Sequence, residues 1–173
     1  MTTALSAPMP LGHKNAADTQ SERRLGEVFT FRDTDVVNGQ LVREQRGEGV
    51  MARLVKCTFA GTPGNAVGWT DDKFGTEVGA VAADNTRIAG ILDPYLTSIS
   101  ANDIVWLIIG GPIDAITGAA ITTQYIQGAG SGKIKGAAFD TDRDELSGRI
   151  LEDGDSKSDG DTIRVHLFPE SPC

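Results

Sequence analysis

The chain has 173 residues, a formal net charge of −8 and 24 acidic against 16 basic side chains. This length suffices for one well-cored domain with an appendage. The acidic balance argues against a nucleic-acid partner, because phosphate binding needs a basic face.

Glycine occurs 21 times, aromatic residues make up 6% and apolar residues 39% of the chain. This composition favours short strands joined by many turns, and hence an all-β fold. No run approaches the about 20 apolar residues that span a bilayer, so no membrane partner is expected. The two cysteines, Cys57 and Cys173, do not form a disulfide framework, which fits production in a reducing cytoplasm.

The first 49 residues are predicted to form an extended N-terminal arm that contains a β-hairpin. Residues 1–21 carry too little apolar surface to fold alone, and the sequence leaves open whether they are disordered or order against a partner. Residues 27–32 alternate around Phe29 and Phe31 like a strand, and the Asn-Gly pair within residues 36–42 indicates a hairpin. Residues 43–49 read as a linker, which places the domain boundary near Val50.

Residues 50–173 are predicted to form a small β-barrel, β-tulip or sandwich. Short apolar or alternating runs recur at the spacing expected of such folds. The predicted strands are residues 51–59, 67–69, 78–83, 87–92, 104–109, 134–139, 146–151 and 162–168. Turns are predicted at residues 61–64 and at Asp84-Asn85, and residues 113–126 show no regular pattern.

Two loops have the composition of ligand-binding loops without the full motif. The glycine-rich segment 127–134 lacks the first glycine of a phosphate loop and has Ile134 where Ser or Thr is needed, so a flexible hairpin loop is the better account. The segment from Asp153 to Asp161 is rich in carboxylates. It lacks the glycine and the bidentate Glu of a calcium loop, and is predicted to be a solvated hairpin turn.

The reactive side chains do not suggest catalysis. His13 and His166 are far apart in sequence and lack a paired motif, and Cys57 alternates with apolar residues as a small core residue would. The protein is therefore expected not to be an enzyme, and to use no cofactor or metal. Trp106 lies in an apolar run and is predicted to be core. Trp69 is either a surface anchor or partly buried at a barrel end.

The segments 78–92, 118–122, 148–152 and 160–165 resemble the head decoration proteins of tailed bacteriophages. These are also called capsid cement or stabilisation proteins, and the lambda-type decoration protein is the model for the similarity. The resemblance spans about residues 50–168. It implies a β-barrel or β-tulip domain that forms a homotrimer on the outer surface of the virion capsid. There it would stabilise the head by bridging neighbouring major capsid protein subunits at local three-fold positions.

The first 49 residues exceed the compact core of that family, and we predict that this arm lies along the capsid. The candidate capsid-contact residues are Arg23, Arg24, Phe29, Phe31, Val36 and Val37. Two other interpretations remain open. One is a head fibre or receptor- or carbohydrate-binding virion module with Trp69 as its anchor, and the other is a small β-barrel hydrolase or ligand carrier.

Overall fold

The computed structural model describes residues 9, 11–16, 22–31, 36–37, 40–41, 49–70, 73–81, 84–140 and 146–168. Within these ranges the regular structure is β, and Glu22 is the only helical residue. The strands are β1 (Asn15–Ala16), β2 (Val28–Phe31), β3 (Val36–Val37), β4 (Gln40–Leu41), β5 (Val50–Cys57), β6 (Ala66–Trp69), β7 (Glu77–Ala80), β8 (Asp84–Thr86), β9 (Gly90–Leu92), β10 (Asp103–Ile116), β11 (Tyr125–Ala129), β12 (Ile134–Ala137), β13 (Gly148–Ile150) and β14 (Thr162–Leu167). The all-β prediction is confirmed.

Five strands close into a barrel in the order β10, β9, β6, β7 and β5. The ring closes because β5 also pairs antiparallel with β10. Neighbours around the ring are antiparallel except β5 and β7, which run parallel with Lys56 opposite Glu77. The barrel interior is apolar, and every barrel strand contributes to it, with Val55, Val67, Val78, Leu92 and Leu107 as examples. The predicted β-barrel is therefore present.

The long strand β10 belongs to two sheets. Its first half lies in the barrel, and its second half pairs with β14 from Gly111 to Ile116. From β14 the second sheet continues through β13 and β11 to β12, and β8 pairs with β11. The strand changes partner at an irregularity between Ile108 and Gly110, followed by Gly111 at a φ of 89°. A Cβ at Gly111 would lie 2.5 Å from the carbonyl oxygen of Gly49, so this crossing favours glycine.

Alternate residues of β10 enter two separate apolar cores. Val105, Leu107 and Ile109 face the barrel interior, whereas Ile104, Trp106 and Ile108 belong to a core between the barrel wall and the second sheet. This is the alternation expected of a strand covered on both faces. Trp106 is 1% exposed and Cys57 is fully buried, which confirms the prediction that both are core residues.

Two predictions within the body are wrong. The strand predicted at residues 104–109 continues to Ile116, because Pro112 sits within the ladder opposite His166. The predicted turn at Asp84-Asn85 lies in β8, which pairs with β11. In both places the strand is set by a partner distant in sequence, and local turn propensity does not reveal it.

Within the first 49 residues, parts of the ranges 9–16 and 22–31 pack onto the body. β2 pairs antiparallel with β5, β1 pairs with β10, and Leu11 is 1% exposed within the second core. Strands β3 and β4 pair as the Asn-Gly hairpin prediction requires, with Val36 opposite Leu41. The domain boundary near Val50 stays a prediction. Among the described residues, no helix has the length and apolar character to cross a membrane.

Candidate functional site

Strand β2 forms an apolar edge beside the barrel. In the described sheet it pairs only with β5 and ends the strand order. Val28 is 48% exposed, Phe29 is 39% exposed, and Thr30 is also exposed. An edge strand presents unpaired backbone groups, and apolar side chains along it favour pairing with another chain. This edge is the first candidate interaction site.

The two aromatic residues predicted to contact a capsid have different environments. Phe31 is 5% exposed, and its ring packs edge-on against Trp106 with 5.3 Å between centroids. The Phe29 ring packs against Phe31 at 4.9 Å and remains partly at the surface. Phe31 therefore anchors β2 to the core, and Phe29 is the ring that a partner could reach.

The other four residues predicted to contact a capsid lie before and after β2 in the sequence. Arg23 is exposed, and Arg24 forms an ion pair with Glu27 at 2.8 Å. That pair is solvent-exposed and contributes little to stability, although it offsets the positive charge of Arg24 locally. Val36 and Val37 lie in β3, within a separate two-stranded sheet. The roles of all four residues in binding stay predictions.

A second candidate site surrounds Trp69 at the end of β6. Trp69 is half-buried and packs against the barrel core. The Phe74 ring lies 5.1 Å from the Trp69 ring and is 68% exposed, and the Arg53 guanidinium lies 5.7 Å from the Trp69 ring centroid. Phe74 and Arg53 were not predicted as site residues, because Phe74 lies in a turn and Arg53 in a strand, and neither belongs to a sequence motif. Trp69 as an anchor stays a prediction.

A buried carboxylate fastens the N-terminal segment to the body. Asp93 is fully buried and accepts hydrogen bonds from the backbone N–H groups of Gly12 at 2.6 Å and Tyr95 at 2.9 Å. Burial raises the pKa of Asp93 to about 6, against the opposing effect of these two hydrogen bonds. Nearby, Trp106 Nε1 donates to the carbonyl oxygen of Met9 at 2.6 Å. This carboxylate therefore has a structural role.

The two ligand-like loops are turns between strands. The segment 127–134 ends β11, turns at residues 130–133 and starts β12, which confirms a hairpin loop. In the acidic loop, Asp153 accepts a hydrogen bond from the backbone of Asp155, and Asp161 accepts one from the backbone of Ser158. These carboxylates accept hydrogen bonds from backbone N–H groups of the same turn, as the solvated-turn prediction requires.

The nucleophilic and metal-ligating side chains show no convergence in the described part of the chain. Burial, assisted by nearby Asp103, raises the pKa of the Cys57 thiol to about 12. Among the residues that the structure describes, no three His, Cys, Asp or Glu side chains are grouped so that they could hold a metal ion.

Comparison with known proteins yields one solved structure. No protein-family model matches the chain, and no curated protein matches it. The crystal structure of the head fibre gp8.5 N base of bacteriophage phi29 is similar, with a TM-score of 0.45 and 13% identity. The similarity covers 69% of this chain and 94% of that one. A TM-score below 0.5 does not establish a common fold.

Proposed function

We propose that this chain is a virion structural protein that binds the outer surface of an assembled phage capsid and stabilises the head. It is made in the host cytoplasm, acts as a homotrimer at local three-fold positions and bridges major capsid protein subunits. It works by binding, without turnover, cofactor, nucleic acid or membrane. The resemblance of segments 78–92, 118–122, 148–152 and 160–165 to decoration proteins motivates this proposal, and the exposed β2 edge is the structural observation that supports it.

The β2 edge supports capsid binding because the rest of the barrel wall is closed. A closed barrel has no free edges, so a partner strand has little to pair with there. β2 lies outside that ring and presents Val28 and Phe29 to solvent. An extended capsid segment that pairs with β2 would gain backbone hydrogen bonds and a contact with Phe29.

The second sheet supplies a separate apolar surface for self-association. Phe139 is 49% exposed and Leu151 is 42% exposed, and the Phe139 ring lies 5.5 Å from that of Tyr125. We assign the trimer contact to this surface. Three linked copies raise the effective concentration of each capsid contact, and binding only to the assembled shell stabilises that shell.

Point variants test the two surfaces separately. Phe29→Glu should leave the trimer intact and reduce co-sedimentation with capsids at least about tenfold, because a buried charge at an interface core costs 2 kcal/mol or more. Phe139→Glu should give monomers in sedimentation analysis. Exposed Thr97→Glu is the charge-matched control and should change neither property. Undiminished capsid binding by Phe29→Glu would contradict the assignment of β2.

The location of the chain tests the proposal as a whole. An electron-microscopy map of the native particle should show it outside the shell at local three-fold positions. Density at another symmetry, or none on the head, would contradict it. Deleting the first 49 residues is an unsuitable test, because Leu11 and Phe31 belong to the core and their removal would destabilise the body.

A head fibre or carbohydrate-binding virion module is the second candidate. The observation that favours it is the Trp69 and Phe74 ring pair, which offers an exposed surface on which a sugar could stack. Binding to a glycan array that is lost on Phe74→Ala would favour this function over capsid stabilisation.

A further inference from the structure

Arg53 lies in β5, near the point where the neighbouring strand on one side changes from β2 to β7. On one side of β5, β2 pairs up to Arg53, opposite Val28, and β7 pairs from Lys56 onward. The turn that precedes β7 contains Phe74. Four side chains lie near this change of partner, and we call them the Arg53 surface: Val28, Arg53, Trp69 and Phe74.

Among the described residues, the Arg53 guanidinium has one buried donor without an acceptor. Its Nε is buried and has no hydrogen-bond partner, and no ion pair within the described ranges involves Arg53. Several other cations in the described ranges pair with carboxylates, such as Lys14 with Asp103 at 2.7 Å and Lys133 with Asp159 at 2.6 Å. An unsatisfied buried donor is unfavourable, so an acceptor supplied from outside would stabilise this site.

The apolar part of the Arg53 surface is unusually accessible. Phe74 is 68% exposed, the largest exposed fraction among the large apolar residues of the described chain, and Val28 is 48% exposed. Trp69 lies between Phe74 and Arg53, in contact with both. Tryptophan and arginine are the residue types most enriched among energetically dominant interface positions.

We propose that the Arg53 surface binds an extended segment of a partner protein in which a carboxylate side chain lies next to an apolar one. The planar guanidinium pairs best with a carboxylate, because both groups present two parallel hydrogen-bonding positions. Phe74 and Val28 would cover the neighbouring apolar side chain. The segment is extended because the adjacent edge of β2 can pair with a strand.

The chemistry can be tested with a defined probe. The probe is the blocked pentapeptide Ac-Thr-Val-Glu-Phe-Thr-NH2, and its matched control carries Gln in place of Glu. Binding is followed by NMR through the Arg53 Nε–H and Trp69 Nε1–H signals of the full chain. We expect both signals to move, with a dissociation constant of about 1 mM, and the Gln peptide to bind at least about tenfold more weakly.

Variants test which side chains are responsible for tighter binding of the Glu peptide than of the Gln peptide. Arg53→Gln should make the Glu and Gln peptides bind equally, whereas Arg149→Gln removes the same charge at an exposed residue of β13 and should preserve the tenfold ratio. Phe74→Ala should weaken both peptides about equally, and Thr97→Ala at an exposed position outside both surfaces should weaken neither. One-dimensional NMR spectra confirm that each variant is folded.

Three outcomes would overturn the proposal. These are no movement of either signal at several millimolar peptide, equal affinity for the Glu and Gln peptides in the unmodified chain, and a preference that survives Arg53→Gln. Stacking of a neutral sugar on Trp69 with no response to the Glu peptide would assign the surface to carbohydrate instead. The inference concerns the chemistry of the partner, so it holds or fails independently of whether the partner is a capsid.

Discussion

Replacing Phe31 with alanine tests whether β2 is an integral part of the fold. Phe31 is 5% exposed and packs against Trp106, so the truncation leaves a cavity in the core. Such Phe-to-Ala changes cost about 3–5 kcal/mol, to which the loss of an edge-on aromatic pair contributes about 0.5–1.5 kcal/mol. For a chain of this size, we expect a fall in Tm of about 10 °C.

Phe29→Ala is the matched control on the same strand and the same side of the sheet. Phe29 is 39% exposed and does not belong to the buried core, so its truncation should cost about 1 kcal/mol or less. Urea unfolding followed by tryptophan fluorescence measures both free energies of unfolding, with the slope confirming that the transition stays two-state. Equal small effects of the two variants would refute the packing of β2 described above, and would return it to a detached arm.

Three further positions give independent predictions. Gly90→Ala should lower the free energy of unfolding by about 2 kcal/mol, because the added Cβ would overlap the carbonyl oxygen of Ile108; denaturant midpoints measure this. Cys57 should react with iodoacetamide only at the rate of unfolding, since burial raises its pKa to about 12; mass spectrometry with and without urea checks this. Burial raises the pKa of Asp93 to about 6, so its protonated form favours folding. The contribution, up to about 3 kcal/mol, is complete below pH about 4 and lost as the pH rises through 6. Asp93→Asn should flatten that part of the pH profile, and an unchanged profile would contradict this role.

Local alternation was sufficient to predict most of the barrel. The strands around Val55, Val67 and Val165 have apolar residues on one face at every second position, and each lies within one or two residues of its prediction. The burial of Trp106 followed from an apolar run that is covered on both faces. In these places the side-chain pattern and the tertiary environment agree, so the sequence alone is informative.

The sequence failed where pairing with a distant segment decides the structure. Leu11 is an isolated apolar residue in a polar segment, and the neighbouring sequence does not indicate that it belongs to the same core as Trp106. β11 has residues that favour a strand only at Tyr125 and Ile126 and then enters a glycine-rich segment, yet it pairs with three other strands. The turn sequence around Phe74 does not reveal its contact with Trp69, because that contact depends on how β6 and β7 are placed.

The continuity of β10 has a consequence for how the molecule unfolds. Its 14 residues contribute side chains to both the barrel interior and the second core. Both cores therefore lose packing when this strand unfolds. The chain should behave as a single cooperative unit, with the central amides of β10 among the last to exchange with deuterium. A domain built this way resists local fraying, because mechanical load on either half is shared through one uninterrupted backbone segment.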